Sequence, residues 1–80
     1  MATTPWQNFL DKASSYMIYA NNRPPGVEPS TEERQKLADM KDAYNALSGA
    51  EKIRYEWLGG PNFILRYIMA TGGGRANWSA

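Results

Sequence analysis

The stretch Tyr44–Tyr55 reads Tyr-Asn-Ala-Leu-Ser-Gly-Ala-Glu-Lys-Ile-Arg-Tyr, and it constrains the chain more than any other segment. Ser48 followed three residues later by Glu51 is a capping box. The serine hydroxyl accepts from the Glu51 amide, and the Glu51 carboxylate reaches back to the Ser48 amide. On its N-terminal side Leu37, Met40, Tyr44 and Leu47 recur at helical spacing and draw one apolar stripe. One amphipathic helix therefore ends where the next begins, with Gly49 easing the turn. Two helices joined by so short a corner fold against each other, and the rest of the chain must supply a third surface.

Upstream, Thr4-Pro5-Trp6-Gln7 has the grammar of a helix start: a capping threonine, a proline suited to the first helical position, and a glutamine that completes a second box. Trp6, Phe9, Leu10, Ala13, Tyr16, Met17 and Ala20 then form an apolar face. Asn21–Gly26 ends the helix, because a residue before proline is pushed out of the α region. Ser30 with Glu33 is a third capping-box pattern. The spacing predicts helices over 5–21, 31–47 and 49–58, with Ile53 and Trp57 of the last turned inward. Gly59-Gly60-Pro61 should break that third helix and leave a short piece over 62–69 carrying Phe63, Ile64, Tyr67 and Ile68. Residues 71–80, with three consecutive glycines, read as a flexible tail on a helical domain of residues 1–70. The expected fold class is all-α.

Composition narrows the chemistry. The 80 residues contain no cysteine and no histidine, so disulfides, thiolate chemistry, most zinc sites and the commonest general base are excluded. No nucleophile–base pair or phosphate loop stands out, and neither enzyme activity, cofactor nor metal is expected. No apolar run approaches the ~18–20 residues that span a bilayer, and Met-Ala-Thr-Thr-Pro lacks the charged and apolar regions of a secretory signal. The net charge of +1 is unevenly spread: residues 28–51 sum to −3 and residues 52–80 to +3. Glu32, Glu33, Asp39 and Asp42 read as the exposed acidic face of the second helix, open to a basic partner.

With the helices placed, residues 5–70 resemble a high-mobility-group box (HMG box). Pro5–Leu10 is similar to that family's opening pattern of Pro, any residue, Ser or Asn, Ala, then Phe and a second apolar residue. Pro25-Gly26 sits where the family often has Pro-Gly, Tyr44 matches its usual tryptophan, and Leu47, Ser48, Lys52 and Tyr55 fit its second corner, given a short insertion after Gly26. The chain departs from the family at Met1–Thr4, which carries no basic arm, at Lys12, where the family has a core aromatic, and at the break Gly59-Gly60-Pro61. Ala43–Lys52 also resembles the end of a J-domain. That domain's His-Pro-Asp loop would fall at Tyr19–Arg23, which reads Tyr-Ala-Asn-Asn-Arg, so no chaperone partner is expected.

The HMG-box resemblance implies a non-catalytic protein that binds double-stranded DNA from the minor groove with little sequence preference and bends it. Leu10 would be the apolar wedge, beside Phe9. Gln7 would read minor-groove acceptors, and Lys12, Arg23, Lys52, Arg54 and Arg66 would contact phosphates. The alternative is a protein-interaction module, a subunit of a larger particle or a viral or phage-type binder of a host factor, that keeps the helices without DNA affinity. Arg75 and Trp78 beyond the glycines are its candidate docking residues, toward a partner or a second copy, since Trp and Arg are favoured at interface centres. The expected location is intracellular, nuclear or nucleoid-associated on the first reading, or within a viral particle or infected cell on the second.

Overall fold

The computed structural model describes residues 4–71. It contains α1 (Pro5–Asn21), α2 (Thr31–Asn45), α3 (Gly49–Leu58) and α4 (Pro61–Thr71), and no strand among the described residues. The rest of the expected tail, including Arg75 and Trp78, lies outside the described residues.

Each start has a local cause. Thr4 Oγ1 accepts from the Gln7 amide at 3.1 Å and Pro5 opens α1. Ser30 Oγ accepts from the Glu33 amide at 3.1 Å, and Glu32 and Glu33 place negative charge in the first turn of α2, where the helix dipole favours it. Only the third box is complete: Glu51 N donates to Ser48 Oγ at 3.2 Å, and Ser48 N donates to Glu51 Oε1 at 2.9 Å. In the other two the third-position side chain is drawn elsewhere, Gln7 toward Tyr67 and Glu33 toward Arg23.

The expected break is a full corner. Gly59 at φ +117° and Gly60 at φ +59° adopt the left-handed backbone that glycine tolerates best. Their amides donate to the carbonyls of Glu56 and Tyr55, which satisfies part of the last turn of α3. Pro61 then opens α4 at a position that needs no amide hydrogen.

Helix α1 is central. It packs against both α2 and α4, and the core joins its Phe9, Leu10 and Ala13 to Ala43, Leu47, Ile64 and Ile68. The Phe9 ring meets Tyr55 edge-on at 5.0 Å and Tyr44 at 5.6 Å, with the two tyrosines 5.9 Å apart. Such edge-to-face contacts add about 0.5–1.5 kcal/mol each beyond the burial of area.

Ile53 and Trp57 were expected inward, yet they are 57% and 87% exposed. Tyr55 occupies the inward position instead, and residues two before and two after it sit about 200° around the helix. Glu33 was expected on the open acidic face with Glu32, Asp39 and Asp42; Glu32 and Asp42 are exposed and Asp39 is half-buried, whereas Glu33 is buried at 3%. Its carboxylate pairs with Arg23.

Candidate functional site

The residues singled out for DNA contact are scattered among structural duties. Phe9 and Leu10 are 2% and 4% exposed, so both side chains belong to the core. A wedge must leave the protein to enter a base step, and Leu10 would have to leave its packing to do so. Gln7 Nε2 donates to Asp11 Oδ1 at 3.0 Å and to Tyr67 Oη at 2.8 Å, which ties α1 to α4.

Among the cations, Arg23 pairs with Glu33, and Arg66 donates to the Leu58 carbonyl. Lys52 lies 5.4 Å above the Tyr44 ring and Arg54 4.7 Å above the Trp6 ring. Both rest on aromatic faces, whose quadrupole attracts a cation. Lys12 is exposed on α1. Of the named cations, Arg23 and Arg66 are thus tied into the fold, while Lys52 and Arg54 rest on rings that themselves pack against Phe9. The interaction candidates Arg75 and Trp78 fall outside the described residues.

Two features went unforeseen. The first is the outer face of α3, where Ile53 and Trp57 stand exposed one turn apart. Their i, i+4 spacing showed that they share a face, but nothing in the spacing said which way it points. The second is a cleft of about 820 Å³ along α1, the loop 22–30 and α2, bordered also by Tyr67 of α4. Glu33 lies against it, with Oε2 held by Arg23 and Oε1 buried without a hydrogen-bond partner. Ser14 Oγ is buried without a partner as well. The Ser30–Glu33 pattern hid this site, because a capping-box reading assigns that carboxylate to the backbone.

Burial, with the neighbouring Tyr44 phenol adding to it, holds the Tyr55 hydroxyl above its ordinary pKa of 10.0. Tyr55 therefore stays neutral and serves packing near neutral pH. Among the described residues no cluster of acidic side chains is placed to hold a metal ion, and no helix is long and apolar enough to cross a membrane. Comparison with protein-family models, curated proteins and solved structures found no match to this chain.

Proposed function

We propose that this chain is a non-catalytic protein-interaction module with an HMG-box-like arrangement of helices, and that it docks through the outer face of α3. The exposure of Trp57 at 87% beside Ile53 at 57% carries the reading. Single exposed apolar residues are ordinary on protein surfaces. A nearly bare indole next to an exposed isoleucine is a larger target, and tryptophan is the residue most enriched among those that dominate binding energy. Exposed Arg54 lies between them in sequence and supplies a polar rim. The partner this face fits is a protein surface with an apolar pocket that receives the indole.

DNA bending of the HMG-box type is the second reading. Its support is the Pro5–Leu10 pattern and the charged surface residues Lys12, Lys52 and Arg54. It ranks below because Leu10, Gln7, Arg23 and Arg66 are engaged within the fold.

The deciding experiment compares full-length protein with the Ile53→Ser/Trp57→Ser variant in affinity selection, sedimentation and duplex titration at two salt concentrations. Loss of one defined partner, or of self-association, in the variant alone supports docking through α3. Identical partners and oligomeric state in both would defeat it. Duplex binding that is micromolar or weaker, falls steeply with salt and ignores the substitutions would promote the DNA reading.

A further inference from the structure

The cleft beside α1 has the character of a small-molecule site. Its volume of about 820 Å³ lies within the ~300–1,000 Å³ typical of ligand pockets. Ile18, Pro24 and Val27 supply apolar wall, and no residue of α3 lines it, so the site is separate from the docking face.

Its polar groups point to one class of occupant. Asp11, Glu28 and Glu33 outnumber the cations Arg23 and Lys36. Both cations are already engaged: Arg23 holds Glu33 Oε2, and Lys36 donates to Ser15 Oγ at 3.1 Å while lying 5.5 Å above the Tyr19 ring. Among the charged side chains, what remains is acceptor capacity. Glu33 is 3% exposed and its Oε1 has no partner; Ser14 Oγ has none either. A buried carboxylate oxygen is satisfied best by a charged N–H donor, and the apolar wall favours a donor mounted on a hydrophobic body.

We propose that this cleft binds a small organic cation, a primary ammonium or guanidinium on a compact apolar body, which donates to Glu33 Oε1 and Ser14 Oγ. A carboxylate accepts from more than one donor, so Arg23 remains in place while the ligand takes the second oxygen. An anionic ligand of the same shape meets the excess of acidic groups and is excluded. A neutral one fills the wall without the charge-assisted bond.

Amide-resolved NMR titration of the full chain with benzylamine, benzyl alcohol and benzoate tests this. Benzylamine is expected to shift Ser14, Ile18, Val27 and Glu33 saturably, benzyl alcohol to bind about tenfold more weakly, and benzoate not to bind. Glu33→Gln keeps the shape and removes the charge, and should weaken benzylamine by about tenfold. Val27→Lys changes an exposed loop position without touching the core. It places a competing ammonium at the cleft, and should weaken benzylamine severalfold even if the Glu33 variant folds poorly. Equal binding of amine and alcohol would overturn the proposal. So would shifts spread over the acidic residues of α3, or benzylamine binding unchanged by Val27→Lys.

Discussion

Arg66 Nη2 donates to the backbone carbonyl of Leu58 at 2.6 Å, tying α4 to the last residue of α3. That carbonyl is one of the four that a helix end leaves without an intrahelical partner. The side chain thus does at the Gly59-Gly60 corner what backbone amides do at a longer helix end.

Arg66→Ala should cost about 1 kcal/mol, the typical net worth of such a hydrogen bond. Gly59→Ala should cost more, about 1–3 kcal/mol, because φ is +117° there. The added Cβ would also lie 3.2 Å from Arg66 Nη2. Combining the two removes that close approach but not the backbone strain, so the double variant should lose less than the sum of the singles. Urea midpoints of the three variants check this.

Raising the pH should weaken the fold through Tyr55. Its hydroxyl is held above the ordinary value of 10.0 by burial first and Tyr44 second, so on unfolding it releases its proton more readily. In that window the unfolded chain binds fewer protons than the folded one, and stability falls as pH rises. The fall begins near the unfolded value and levels off once the folded phenol ionises too. Tyr55→Phe should remove this contribution, visible as a flatter stability profile in urea melts from about pH 8 to pH 11.

Phe9 and Trp57 are both aromatic and should behave oppositely. Phe9→Ala empties the centre of the core and should cost about 3–5 kcal/mol, close to the whole stability of many small domains. Trp57→Ala removes a side chain that is 87% exposed and should change stability by no more than about 0.5 kcal/mol. Thermal melts followed by circular dichroism separate the two.

Arg23→Ala should strand the buried Glu33 carboxylate and cost about 1–3 kcal/mol. Arg23 is itself 33% exposed by its side chain, so solvent reaching the site keeps the loss below that of a fully buried pair. Adding Glu33→Gln should recover part of it, because the neutral amide needs no counter-charge. Chemical denaturation of the two variants beside wild type measures both effects.

Local chemistry was enough to place the helices. Thr4, Ser30 and Ser48 each stand one residue before a helix start, Pro24 disfavours helix at the residue before it, Gly59 takes the left-handed turn after α3, and Pro61 suits the first position of α4, so these boundaries need no distant partner. The all-helical class followed from them, and most of the core followed from apolar spacing on α1, α2 and α4. The orientation of α3 did not. Ile53 with Trp57 and Tyr55 with Leu58 are both helical pairs, and propensity does not rank one face above the other. Only the assembled core decides: a Tyr55 ring meets Phe9 and Tyr44 edge-on, which turns Trp57 into solvent. Glu33 repeats the lesson in charge. As a third-position acid after Ser30 it looked like a helix cap, but Arg23 comes close only once the loop closes over α1. The pairing that draws the carboxylate inward, and the cleft beside it, exist only in the tertiary structure, because they depend on groups ten residues apart meeting across that loop.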